Sequence, residues 1–187
     1  MLTATKMKKD LTEVIEFPEG IDFEMANGII KLKGKAGEIS QKIPSELPIK
    51  ITDRKLEIAV KNSTKKEKKI LKSFVAHIKK TIKGVNEKYV YKLQVCFVHF
   101  PVTISYDEQK REILIKNFLG ETKPRTAKIL PNVDLKIEGD KIILSSANKD
   151  VVGQSAANLE TATKIRGRDR RIFQDGIWIT EKGGIPI

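Results

Sequence analysis

Two hydrophobic periods follow one another between residues 53 and 83. In "DRKLEIAVKN" (53–62), Leu56, Ile58 and Val60 alternate with polar neighbours, the period of a half-buried strand. From residue 70 the apolar positions become Ile70, Leu71, Phe74, Val75, Ile78 and Ile82, which share one face of a helix. Asn62, Ser63 and Thr64 offer N-caps before that helix, and Gly84 is the candidate C-cap after it. Earlier alternation at Ile21, Phe23, Met25 and at Ile30, Leu32 predicts further strands.

The same order recurs downstream. Val102, Ile104 and Tyr106, then Ile113 and Ile115, then Ile142 and Leu144 read as strands. A helix over roughly 149–164 follows, with Val152, Ala156, Leu159 and Thr163 on one face and Asn148 as N-cap. "NGIIKLKGKAGEISQKIP" (27–44) resembles "KREILIKNFLGETKPRTAKI" (110–129) at an offset of 83, and "DRKLEIAVKN" resembles "GDKIILSSAN" (139–148) at an offset of 86. The second copy therefore gains three residues between these points, in the stretch that includes "GETKPRTAK". After each helix the chain re-enters a strand, in "KYVYKLQVCFVHF" (88–100) and "RIFQDGIWIT" (171–180). The predicted fold class is α+β, with two tandem duplicated domains, each an antiparallel sheet packed against one helix, over residues 1–85 and 86–187.

Charge sharpens this picture. Across 187 residues, 36 Lys and Arg face 24 Asp and Glu, a formal +12, which favours a polyanionic partner. The first half holds the larger excess, a net +8 against +4, but much of it is lysine arrayed around the apolar stripe of the first helix, at Lys65, Lys66, Lys68, Lys69, Lys72, Lys79, Lys80 and Lys83. That arrangement is the ordinary solubilising face of an amphipathic helix. Six of the seven arginines lie in the second half. Their planar forks can engage two phosphate oxygens at once. "KIRGRDRR" (164–171) packs Lys164, Arg166, Arg168, Arg170 and Arg171 into eight residues just before the apolar strand, with Gly167 giving close approach. Lys123, Arg125 and Lys128 lie on or beside the inserted loop, where Gly120 permits a turn and Pro124 restrains the backbone. A solvated connection remains the competing reading of the 164–171 run. Trp178 is either a core residue or a solvent-facing ring.

Catalysis finds no support. One cysteine, Cys96, in an apolar run, reads as a buried inert thiol. Two histidines and one cysteine cannot make a zinc site, and neither H-E-x-x-H nor paired C-x-x-C occurs. Gly34 to Glu38 lacks the Gly-Lys-Ser/Thr of a phosphate loop, and the carboxylates are scattered singly. No catalytic residue, metal ligand or cofactor is assigned. The amino terminus has no signal-length apolar stretch and no window approaches a membrane span, so a soluble intracellular protein is expected.

"RIFQDGIWI" (171–179), preceded by Arg168 and followed by Lys182, resembles the carboxy-terminal signature of the archaeal and eukaryotic branch of the sixth large-subunit ribosomal protein family. "HFPV" (99–102) and "IKNFLGETKPR" (115–125) resemble the second-domain hairpin of that family, and in the carboxy-terminal signature Trp178 stands in place of the family's Tyr or Phe. The resemblance covers essentially the whole chain. It implies a non-enzymatic constituent of the large subunit, cytoplasmic and in the ribosome, bound to rRNA near the stalk base and sarcin-ricin loop, where it supports the translational GTPase site. Its partners would be large-subunit rRNA and neighbouring ribosomal proteins, stalk-base components included, with no membrane. Carried onto this chain, the RNA-binding role falls on Lys123, Arg125, Lys128, Lys164, Arg166, Arg168, Arg170, Arg171 and Lys182, with 86–187 as the main rRNA-binding domain. The alternative from charge alone is a basic adaptor for an acidic protein or an anionic membrane surface.

Overall fold

The computed structural model describes residues 9–45, 47–52, 54–169 and 171–187. The chain divides into two compact units, one ending at Glu87 and the other running from Lys88 to Ile187.

In the first unit, β1 (Lys9–Glu16), β6 (Lys55–Ser63) and β5 (Ile49–Thr52) form an antiparallel sheet ordered β1-β6-β5. A second sheet is ordered β2-β3-β4, from Asp22–Ala26, Ile29–Gly34 and Gly37–Lys42. The helix α1 (Lys65–Asn86) packs on strands of both sheets and buries Leu71, Phe74, Val75 and Ile78 against Ile30, Leu32, Leu56 and Ile58. Thr64 starts it, its amide donating to the Glu67 carboxylate at 2.6 Å. Gly84 is not the C-cap. The helix runs past it to Asn86, and Glu87 ends the run with its amide on the Lys83 carbonyl at 2.8 Å. The β3–β4 turn comes up against this helix end. Ala36 donates its amide to the Val85 carbonyl at 2.8 Å, and a Cβ at Gly34 would lie 2.5 Å from Val85 Cγ1. Glycine is required there by proximity.

The second unit repeats the plan with additions. The strands β8 (Thr103–Asp107), β9 (Glu112–Lys116) and β10 (Arg125–Lys128) form a sheet ordered β10-β9-β8. A five-stranded antiparallel sheet is ordered β11-β12-β7-β13-β14, from Asp134–Glu138, Lys141–Ser146, Tyr89–Cys96, Gly176–Lys182 and Ile185–Pro186. The helix α2 (Lys149–Ala162) begins at Asn148, whose side chain accepts the Asp150 amide at 2.9 Å. It buries Val152, Ala156 and Leu159 against Tyr91, Leu93, Ile113, Ile142 and Leu144. Thus the strand that follows α1 in sequence, β7, belongs to the second unit and is its central strand. Its inward residues are Tyr89, Tyr91, Leu93 and Val95. Cys96 falls on the opposite side of the pleat and is only half-buried, contrary to the sequence expectation.

Strand register locates the insertion. Leu32 faces Ile39 across the first hairpin, whereas its counterpart Ile115 faces Arg125. All three extra residues therefore sit in the tip between β9 and β10, and Arg125 occupies the strand position that Ile39 holds in the first unit.

Candidate nucleic-acid interface

Arg125 stands at an inward-facing position. Alternation along β10 buries Ala127 and half-buries Arg125, while Thr126 and Lys128 point outward. Its fork is consumed within the fold. Nε and Nη2 donate to the two Glu121 carboxylate oxygens at 2.8 and 2.6 Å. Nη1 donates to the carbonyls of Ala162, the last residue of α2, and Lys164, at 2.9 and 3.4 Å. The guanidinium carbon also lies 4.4 Å from the centre of the buried Phe118 ring. Arg125 thus ties the hairpin tip to the end of α2, where the cationic run begins. In the first unit a backbone amide, that of Ala36, meets the helix end; here an arginine side chain does. The hydrogen-bonded guanidinium holds the Glu121 carboxyl below its ordinary value against the opposing pull of burial, and Arg168 adds to the lowering.

Residues 163–175 form the connection from α2 to β13. Thr163 is buried, and its hydroxyl accepts the Ile177 amide at 3.0 Å, binding the start of the connection to the strand at its end. Gly167 has φ +70 with open space around it, so glycine serves the backbone conformation there. Asp169 shapes the turn. Its carboxylate accepts the Arg171 amide at 2.9 Å, and its carbonyl accepts those of Ile172 and Phe173 at 3.2 and 2.9 Å.

A buried carboxylate secures the far end. Asp175 is 1% exposed. Its Oδ1 accepts the amides of Val98 and His99 at 2.8 and 3.2 Å, and its Oδ2 lies 2.7 Å from His99 Nδ1. Burial, the largest single influence, pushes this carboxyl up, but these bonds together outweigh it and leave it below its ordinary value. The His99 ring stacks on Phe173 with centroids 4.7 Å apart, and the Arg168 guanidinium carbon lies 4.6 Å from the same ring. Trp178 is no core residue. It is half-buried, lies over Gly176, and donates its indole N–H to the Gln174 carbonyl at 3.2 Å.

Of the residues singled out from sequence, Lys123, Lys164, Arg166, Arg168 and Arg171 are exposed, and the Arg125 bonds bring the hairpin tip beside the 163–168 stretch. Lys128 is exposed on the outer face of β10. Lys182 is exposed but stands at the other end of β13 from Gly176, roughly 20 Å along the strand. Arg170 lies outside the described residues. Glu121 and Asp175, which organise the corner, carried no signal in the sequence beyond single carboxylates beside glycine. Among the described residues no group of His, Cys, Asp and Glu could hold a metal, and no helix is long and apolar enough to cross a membrane.

The family model described as Ribosomal protein L6 matches the chain twice, over residues 17–88 and 101–176, one match falling largely in each unit. The chain belongs to this family. The large ribosomal subunit protein uL6 of Methanococcus vannielii is 38% identical over 175 residues, 93% of this chain and 95% of that protein. L6 proteins are structural components of the ribosome and not enzymes, so this chain is a ribosomal structural protein of the cytoplasm. Its doubled α+β plan is the doubled family match seen in three dimensions.

Proposed function

We propose that this L6 protein is a structural constituent of the large subunit held on its rRNA chiefly by the second unit, near the stalk base and sarcin-ricin loop. There it would support the site used by translational GTPases. The observation that carries this reading is the pinned corner, in which exposed Lys123, Lys164, Arg166, Arg168 and Arg171 ride on two segments locked together by Arg125. Cations held at fixed spacing match one folded RNA surface and release condensed counterions on contact. Arg125 acts here by positioning, because four of its five N–H groups are already bonded within the fold, and Lys128 and Lys182 would touch separate stretches of backbone. The basic-adaptor alternative loses its footing with the family assignment.

If roughly 6 to 10 phosphates are neutralised, affinity falls by on the order of a thousandfold or more between about 50 and 200 mM salt. Replacing Arg168, Arg170 and Arg171 with Ala should weaken binding and flatten the log–log salt dependence by about 0.7 for each phosphate contact among them. Replacing Lys65, Lys66 and Lys69 should change it far less. Equal losses in a filter-binding titration on deproteinised large-subunit rRNA would contradict the assignment to the second unit, and crosslinking in intact particles tests the location.

A further inference from the structure

Where the 163–175 connection meets His99, three planar groups come together. His99 lies on Phe173 at 4.7 Å with an interplanar angle of 17°, and the Arg168 guanidinium carbon lies 4.6 Å from the same ring centre. The cluster of His99, Phe173 and Arg168 joins an imidazole and a guanidinium through one shared ring. Its inner end is anchored, because the imidazole is bonded to Asp175, itself tied to the amides of Val98 and His99. Its outer end is exposed, since Arg168 lies at the surface. Glu121 is close enough to feel the Arg168 charge, but both its oxygens are bonded to Arg125.

We propose that Arg168 is a nucleobase-stacking site: the outer face of its guanidinium receives one unpaired base of the bound RNA, with Arg166 and Arg171 holding the flanking phosphates. This rests on the rRNA-binding reading above and goes beyond it. An arginine meant only for phosphate presents its N–H edges and gains from freedom to seek the oxygens. This one lies over an aromatic ring, 4.6 Å from its centre, which limits that freedom. A weakly hydrated planar cation offers its flat side to another π-system, and unpaired RNA bases stack on guanidinium planes as they do on aromatic rings. The scarcity of aromatics in the chain therefore does not exclude stacking. The ligand is a purine or pyrimidine splayed from a loop or bulge, and lysine could not replace the arginine.

The test uses the full-length protein with deproteinised large-subunit rRNA, comparing wild type, Arg168→Lys, Arg168→Ala and Phe173→Leu. Affinity is measured across a salt series, and base reactivity is read at single-nucleotide resolution by chemical probing. Arg168→Lys keeps the charge and should keep the salt slope while losing about tenfold in affinity. One unpaired nucleotide protected by wild type should become reactive with Arg168→Lys and again with Phe173→Leu. The proposal is overturned if Arg168→Lys binds like wild type with unchanged base reactivity while Arg168→Ala alone weakens binding and flattens the slope, the signature of a phosphate contact. Because Arg168 is exposed, its variants fold, and they decide the matter even if Phe173→Leu does not. Failure of wild type to bind rRNA would sink the underlying rRNA reading itself, a distinct outcome.

Discussion

Replacing Arg125 with Ala should weaken the second unit without removing a phosphate contact. The substitution breaks the two-pronged pairing with Glu121, uncovers the Ala162 carbonyl at the end of α2, and strips a cation from the Phe118 ring. The Glu121 side chain is 41% exposed and can rehydrate, so the ion pair itself contributes at most about 1 kcal/mol. Losing the carbonyl's partner costs about 1 kcal/mol more. The stacked cation and its stem add about 0.5 to 1 kcal/mol. Together these give about 1.5 to 3 kcal/mol, or roughly 6 to 24 °C in the melting temperature of a unit of this size. Trp178 is the only tryptophan and lies in the second unit, so its fluorescence in a urea titration reports that unit alone. A midpoint within about 0.5 kcal/mol of wild type would mean that these bonds do not hold the tip to α2 in solution. The rRNA salt slope should stay unchanged; a fall of about 0.7 to 0.9 with unaltered stability would instead make Arg125 a phosphate ligand.

Two further substitutions test the supports beneath the site and the fold. Gly34→Ala places a Cβ 2.5 Å from Val85 Cγ1 and 3.0 Å from its carbonyl oxygen, so backbone must move; a cost of about 1 to 3 kcal/mol is expected. Amide exchange should report it as faster opening at Ala36 and in the last turn of α1, and unchanged exchange there would refute the close approach. The folded-state Asp175 carboxyl lies below its ordinary value, so the folded chain resists protonation there more than the unfolded chain does. The stability it contributes is complete above an unfolded value of about 3.9 and is lost as pH falls through the lower folded value. Asp175→Asn should destabilise the second unit at neutral pH and flatten the acid limb of its stability profile below about pH 4. An acid limb as steep as in wild type would show that Asp175 is not among the groups that set it.

The elements legible in the sequence were those whose own residues carry a full period. Helix α1 shows its apolar stripe from Ile70 to Ile82, and β3, β9 and β12 each place two apolar residues on the inward side. Their duplication was equally plain, since matched periods at a fixed offset need no knowledge of packing. Several other strands were not legible. β4 buries one apolar side chain and β10 only Ala127, so they exist because a neighbour offers a ladder of hydrogen bonds. The division of each unit's strands into two sheets, and the central place of β7 between β12 and β13, are likewise matters of pairing between distant residues.

For the site, composition and spacing marked a stretch whose Lys164, Arg166, Arg168 and Arg171 the fold leaves exposed, because clustering arginine is a local act. They could not tell the arginine that grips the fold from those that face outward. Arg125 and Arg168 look alike in sequence, yet one meets a carboxylate and a helix end while the other lies exposed over the Phe173 ring. Charge is a property a residue carries alone. Whether that charge is already answered depends on what the rest of the chain folds against it, and only the tertiary structure decides that.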